Sequence, residues 1–84
     1  MQLALIEGTA TSTVKHPSLQ GWRLLVAQPL GSEGEAAGDP VLVVDRHGAR
    51  AGDRVIISSD GKGLRQMLAD DTSPARWWTL GIAD

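Results

Sequence analysis

The sequence predicts a mainly β fold, a small antiparallel barrel of five short strands with one short α-helix. Runs rich in Val, Ile, Leu and Thr, which favour pleated strands, alternate with turns rich in Gly, Pro and Asp. One segment changes to helical spacing. The 84 residues suffice for one domain, residues 1–84. A barrel is a common way for several short strands to protect their edges.

Turn residues set the limits of the five predicted strands. Gly8 lies inside the first strand and indicates a bulge or bend. Pro17 and Gly21 belong to the loop that precedes the second strand, since Pro fixes its own φ and Gly can adopt a positive one. A loop rich in Gly and acid, residues 31–40, follows that strand. The predicted strands span residues 2–14, 22–30, 41–45, 54–59 and 75–83.

Period-two patterning predicts which side chains share a face of the sheet. In the second strand we expect Trp22, Leu24, Val26 and Leu30 to share one. Residues 41–45 form a short apolar run, so we expect the third strand to be buried on both faces.

The predicted helix spans residues 60–70. Leu64, Met67 and Leu68 fall at helical spacing, and Ser59 or Asp60 can cap the start. Pro74 then ends the loop before the last strand.

The segment that leads into this helix contains Gly61, Lys62 and Gly63. Backbone N–H groups at a helix start, together with a lysine, suit an anion or the lining of a pore. The segment does not match the P-loop pattern, and an ordinary helix entry is the plainer interpretation.

Composition restricts the classes of function. The net charge is −2, whereas nucleic acids and anionic membranes require a basic surface, so we expect neither as a partner. We find no apolar run long enough to cross a bilayer and no signal-peptide pattern. The absence of Cys removes disulfides and thiolate metal sites, and it suits a reducing cytosol.

The residues capable of catalysis form no recognisable site. His16 and His47, with an acid such as Asp45, could supply three metal ligands, but their spacing matches no metal motif. No G-x-S-x-G elbow marks an activated serine. We therefore expect no catalytic residue, no metal site, no cofactor and no enzyme activity.

Arg76, Trp77 and Trp78 begin the last strand. Adjacent strand residues point to opposite faces, so one indole can enter the core while the other faces outward. An outward Trp is a candidate interface anchor. The alternative is that the helix or loops cover both rings.

Five ordered motifs resemble the EutN/CcmL family of bacterial microcompartment shell proteins, along nearly the whole chain. Gly8-Thr9 is similar to the family's G-T-V-V-A-T opening, and Pro74 with residues 81–84 is similar to its closing P-V-D-A-A-I-V-G-I-V-D. Residues 15–30, KHPSLQGWRLLVAQPL, resemble K-H-P-S-L-x-G-x-K-L-L-V-V-Q-P-L almost residue for residue. Residues 43–45 resemble A-V-D, and residues 47–53, HGARAGD, resemble V-G-A-G-x-G-D.

The resemblance implies an OB-like β-barrel that assembles as a cyclic homopentamer at the vertices of a cytoplasmic microcompartment shell, with hexameric shell proteins as partners. It also implies an edge that faces the hexamers. That edge would comprise Thr13, Val14, Lys15, Gly48, Ala49, Arg50, Gly52 and Asp53.

The chain departs from the family pattern at several of these positions. Arg50 replaces a usual glycine, and His47 replaces an apolar residue. Arg76 stands where an acid is common, and Trp77-Trp78 where two alanines are common. These changes suggest adaptation to a particular hexamer.

Two other functions remain to be weighed. An OB-type nucleic-acid or ligand-binding module would need a basic groove with stacking aromatics, which the charge and the aromatic-free first, third and fourth strands disfavour. A small hydrolase would have to use His16 or His47.

Overall fold

The computed structural model describes residues 1–10, 22–60 and 76–83. Five strands form a closed barrel in the order β1-β2-β3-β5-β4. Their number and order along the chain confirm the predicted barrel. The strands are β1 Gln2–Thr9, β2 Arg23–Pro29, β3 Val41–Asp45, β4 Arg54–Ser58 and β5 Trp77–Ala83. The predicted helix, apart from Asp60, lies outside the described residues, as do positions 11–14 of the predicted first strand.

The barrel is not wholly antiparallel, and that part of the prediction was wrong. β3 and β5 run parallel, with Val43 beside Trp77 and Val44 beside Trp78. The four other neighbouring pairs are antiparallel. A closed ring of five strands cannot alternate direction throughout, because five is odd. At least one parallel pair is therefore required.

The inside of the barrel is filled by small and branched aliphatic side chains. They alternate with outward residues along each strand, as the pleat demands. This core cluster contains Ala4, Ile6, Leu25, Ala27, Val43, Ala49, Val55 and Ile57, with Val41 and Trp77 packed against it.

The face of β2 that fills the barrel is not the one that carries Leu24. Leu25 and Ala27 enter the barrel, whereas Leu24 lies on the other face. Both faces of this strand are apolar, so its alternation cannot show which set fills the interior. In β3, Leu42 remains 57% exposed, so burial on both faces holds only from Val43 onward.

A second apolar cluster lies on the outer wall. Leu24 and Val44 are buried there, and Ala10, Trp22 and Trp78 pack against them. The three tryptophans are thus divided between the two sides of the barrel wall. Trp77 packs against the core cluster, and Trp22 and Trp78 belong to the outer cluster.

The predicted bend in β1 is present at its pairing with β2, where the register shifts between Ile6 and Gly8. At this irregularity β1 is contacted by the turn that joins β3 to β4, residues 46–53, which we call the β3–β4 turn. The Gly52 N–H donates to the Ile6 carbonyl over 2.8 Å, and the Ile6 N–H donates to the Asp53 carbonyl over 2.9 Å.

The acidic loop, residues 31–40, closes on itself before β3. Leu30 pairs with Ala36 in an isolated bridge, and the Gly31 N–H donates to the Glu35 carbonyl over 2.7 Å. Nearly all of the loop is exposed, as predicted.

Candidate functional site

The best-defined polar centre of the described residues is the carboxylate of Asp45, at the end of β3. Asp45 is only 2% exposed. Its Oδ1 accepts the N–H of His47 over 3.1 Å, and its Oδ2 accepts those of Gly48 and Ala49 over 2.9 and 3.1 Å. An Asp that precedes a turn commonly bonds the backbone a few residues onward. This carboxylate therefore fixes the chain reversal that leaves β3.

Two side chains from other strands complete the surroundings of Asp45. The hydroxyl of Thr79, on β5, donates to Oδ1 over 2.8 Å, and Thr79 is fully buried. Arg23, on β2, approaches Oδ2 through Nη1 at 3.3 Å, with a side chain that is 44% exposed. Asp45 thus joins three strands and one turn at the same end of the barrel.

The electrostatic balance keeps Asp45 ionised. Burial raises the pKa of its carboxyl, but the hydrogen bonds from Thr79 and from the N–H groups of His47, Ala49 and Gly48 lower it, and the net pKa lies below its ordinary value of 3.8. Since both oxygens accept several donors, the carboxylate serves as a structural clamp. It has no free position for proton transfer to a substrate.

A second carboxylate closes the turn between β3 and β4. The Arg50 N–H donates to Oδ2 of Asp53 over 2.8 Å, and the Asp53 N–H donates back to the Arg50 carbonyl over 2.9 Å. Gly48 and Gly52 have φ values of 79° and 93°, in the region that glycine adopts without strain. The predicted edge turn is therefore a well-defined structure.

Within this turn the predicted edge residues differ in exposure. Gly48, Arg50 and Gly52 are exposed, and Asp53 is half-buried. Ala49 is fully buried in the core cluster, where its methyl group anchors the turn to the barrel. The surface offered to a partner therefore comes from the residues on either side of Ala49.

The two tryptophans of β5 lie on opposite sides of the barrel wall, as predicted. Trp77 packs against the core cluster and Trp78 against the outer cluster. Both rings are half-buried, and Arg76 before them is exposed. Nε1 of Trp78 is buried and has no hydrogen-bond acceptor among residues 1–10, 22–60 and 76–83.

The remaining predicted site residues lie outside the described part of the chain. These are Thr13, Val14, Lys15, Gly61, Lys62 and Gly63, together with His16 of the metal hypothesis.

Two features of residues 1–10, 22–60 and 76–83 bear on metal binding and on membrane insertion. Nowhere in these ranges do three or more acidic or histidine side chains come together as metal ligands would. The same ranges contain no helix with the length and apolarity needed to traverse a membrane.

Sequence reasoning missed the clamp itself, because it marks Asp45 as a possible metal ligand and as part of a family motif, and not as a residue that holds a turn. The local signal was present, since an Asp directly before Arg-His-Gly is typical of a side chain that caps a turn. Thr79 gave no such signal, because it lies 34 residues from Asp45 in the sequence.

Over the described residues, a closed five-stranded barrel with its buried carboxylate engaged in structural bonds defines a small β-barrel domain. A family model described as ethanolamine utilisation protein EutN/carboxysome matches residues 1–84. The chain therefore belongs to the EutN/CcmL family, as its sequence motifs indicated.

Individual relatives agree with this assignment. The chain is 32% identical over 84 residues to the bacterial microcompartment shell vertex protein EutN of Escherichia coli strain K12, covering all of this chain and 87% of the relative. It is 41% identical over 84 residues to the carboxysome shell vertex protein CcmL of Synechococcus elongatus, covering all of this chain and 84% of the relative.

A solved structure gives the same result for the fold. The pentameric microcompartment shell protein GrpN of Rhodospirillum rubrum superposes with a TM-score of 0.84 at 37% identity, covering all of this chain and 94% of that one. These comparisons do not support the OB-type nucleic-acid or ligand-binding module considered above.

Proposed function

We propose that this chain is a single shell vertex domain that assembles as a cyclic homopentamer and closes the vertices of a cytoplasmic bacterial microcompartment. The observation that carries the proposal is the full-length likeness, in sequence and fold, to proteins named as shell vertex proteins and to the pentameric GrpN. Hexagonal units tile a flat layer, and pentagons introduce the curvature that closes it.

The physical properties of the chain suit assembly. A domain of this size buries only about 60% of the surface that its unfolded chain exposes, so burial against neighbouring copies adds stability. Leu42 and Ile82 are large apolar side chains that are 57% and 44% exposed in the single chain. A cyclic ring joins two different faces of each subunit, which a domain without internal symmetry can supply.

The proposed role is structural, without catalysis by this chain. Asp45, the most buried acid of the described residues, accepts hydrogen bonds from three backbone N–H groups and from Thr79. These bonds hold the barrel and its edge turn together, which is the work expected of a scaffold.

We assign the contact with hexameric shell proteins to the edge that the family resemblance implies. It comprises the β3–β4 turn at Gly48, Arg50, Gly52 and Asp53, supported by Ala49, and by the family resemblance it also includes Thr13, Val14 and Lys15. Arg76 and Trp78 are the better candidates for an additional anchor, because Trp77 packs against the core cluster. Gly61, Lys62 and Gly63 remain candidates for a pore lining or a weak anion contact.

Co-assembly tests the vertex role. The chain is expressed with a cognate hexameric shell protein, and the particles are imaged by electron microscopy. We expect closed polyhedral shells when the chain is present, and open sheets, tubes or shells with vertex gaps when it is omitted. Closed shells of the same form and number without the chain would refute the vertex role.

A further inference from the structure

Three arginines fall within the segment that joins β3 to β4 and the first residue of β4. Arg46 and Arg50 belong to the turn, and Arg54 is the first residue of β4. All three are exposed. The ion pair found within residues 1–10, 22–60 and 76–83 joins Arg23 to Asp45, and within these ranges none of the three guanidinium groups forms one. We call Arg46, Arg50 and Arg54 the arginine rim.

The acids nearest to the rim in sequence are already engaged. Asp45 is buried and holds the backbone of the turn, and it pairs with Arg23. Oδ2 of Asp53 accepts the main-chain N–H of Arg50. The exposed Glu7 of β1 follows the Ile6 that bonds this turn. Three exposed arginines still outnumber Glu7 and the half-buried Asp53, so the rim has a positive balance although the whole chain carries −2.

The opposite charge lies at the other end of β3. The acidic loop carries Glu33, Glu35 and Asp39, all exposed, and no Lys or Arg. The five residues of β3 separate the loop from the turn, a span of roughly 13 Å at the usual rise per residue. That exceeds the screening length of about 8 Å at physiological salt, so the two groups act as separate surfaces.

The rim is also held in place before any partner binds. Three N–H bonds to Asp45 and the reciprocal bonds between Arg50 and Asp53 fix the turn, and Gly52 ties it to β1. A surface whose backbone is already ordered loses less conformational entropy on docking. The arginines are thus presented by a prepared edge.

From the rim's charge and order we propose that it docks on an acidic edge of the hexameric shell partner, where Asp or Glu side chains receive Arg46, Arg50 and Arg54. This inference rests on the vertex role proposed above and adds the chemistry of the partner. A planar guanidinium matches a carboxylate with two parallel N–H bonds. A single exposed ion pair is weak, but five copies of the rim in one ring act together.

The test measures binding of purified pentamer to shells assembled from the cognate hexameric protein alone. Sedimentation gives the bound fraction across a series of NaCl concentrations. The variant Arg46→Gln/Arg50→Gln removes two rim charges and leaves the backbone bonds of the turn in place. Arg46→Lys/Arg50→Lys keeps the charges, and Glu33→Gln/Glu35→Gln removes two charges at the other end of β3 as the matched control. Native mass spectrometry records the ring size of each variant.

We expect the Gln rim variant to remain pentameric and to bind at least about tenfold more weakly than the parent, with a smaller salt dependence. The Lys variant should retain most of the binding, and the acidic-loop control should bind as the parent does.

Unchanged, salt-insensitive binding by the Gln rim variant would overturn the proposal. Loss of the pentamer in both the Gln rim variant and the acidic-loop variant would also overturn it, because the rim would then bind the acidic loop of a second copy. Failure of the parent chain to form pentamers or to bind shells would instead reject the vertex role itself.

Discussion

The hydroxyl of Thr79 donates a 2.8 Å hydrogen bond to Oδ1 of Asp45, at the position where the parallel pairing of β3 and β5 stops. Val43 pairs with Trp77 and Val44 with Trp78, and Asp45 and Thr79 are the next residues on each strand. This side-chain hydrogen bond therefore extends the contact between β3 and β5 beyond their last backbone pair. Because β3–β5 is the parallel pair among the five described strands, this bond helps to close the barrel.

Replacing Thr79 with Val should weaken the contact between β3 and β5. The variant keeps the shape of the side chain but removes the donor to a buried carboxylate, so we expect the free energy of unfolding to fall by roughly 1.5–3 kcal/mol. Urea unfolding followed by tryptophan fluorescence measures the change. Thr79→Ser retains the hydroxyl and should lose clearly less stability. Equal losses in the two variants would show that the methyl group, rather than the hydrogen bond, is what matters.

The charge of Asp45 should make stability depend on pH. The hydrogen bonds of the folded chain hold its pKa below 3.8, the ordinary value that we take for the unfolded chain. As the pH falls, the unfolded chain therefore takes up the proton first. The stabilisation is complete above 3.8 and is lost as the pH falls through the lower folded pKa.

Unfolding of the parent chain and of Asp45→Asn at a series of pH values measures this effect. At pH 7 we expect the variant to be less stable by about 2–3 kcal/mol, with a gap that narrows below pH 4. Asp39→Asn, in the exposed acidic loop, serves as the control and should change stability by no more than about 0.5 kcal/mol. A gap between parent and Asp45→Asn that stays constant down to pH 2 would contradict the assignment.

Gly52, in the turn that adjoins β1, should tolerate a side chain less well than Gly8 of β1 does. Its φ of 93° is unfavourable for alanine, so we expect Gly52→Ala to cost about 1–2 kcal/mol. Gly8 at the β1 irregularity has no such φ and no atom within 4 Å of an added Cβ, so Gly8→Ala should change stability little. Thermal unfolding of the two variants compares them directly. A Gly8→Ala variant that lost as much stability as Gly52→Ala would argue against a conformational cause.

Leu25 and Leu42 should respond differently to truncation. Leu25 is fully buried in the core cluster, so Leu25→Ala should cost about 2–5 kcal/mol. Leu42 is 57% exposed on the outer wall, and in the separated subunit Leu42→Ala should stay within about 1 kcal/mol of the parent chain. Denaturant unfolding at dilutions low enough to separate subunits checks both values. A small effect at Leu25 would mean that the barrel interior has been assigned to the wrong face of β2.

The strand bounds could be predicted because turn residues are local signals. The third strand was predicted with both ends correct, since Pro40 precedes it and a charged, glycine-containing turn follows. The inward face of β2 could not be predicted, because Leu24 and Leu25 are equally apolar and alternation alone does not distinguish inside from outside.

The hydrogen bonds around Asp45 could not all be predicted from local sequence patterns, because Thr79 lies 34 residues away. The bond between Asp45 and Thr79 depends on β5 lying beside β3 and parallel to it, which no short segment of sequence encodes. The edge turn was located by its glycines and acids, but the exposed surface beside buried Ala49 became evident only when the turn was seen packed on the core cluster.

Native mass spectrometry of the purified chain tests the central claim of a vertex pentamer most directly. We predict one dominant assembly of five chains of 8.9 kDa each at micromolar concentration. A stable monomer, or a dominant ring of six chains, would contradict the pentameric vertex role.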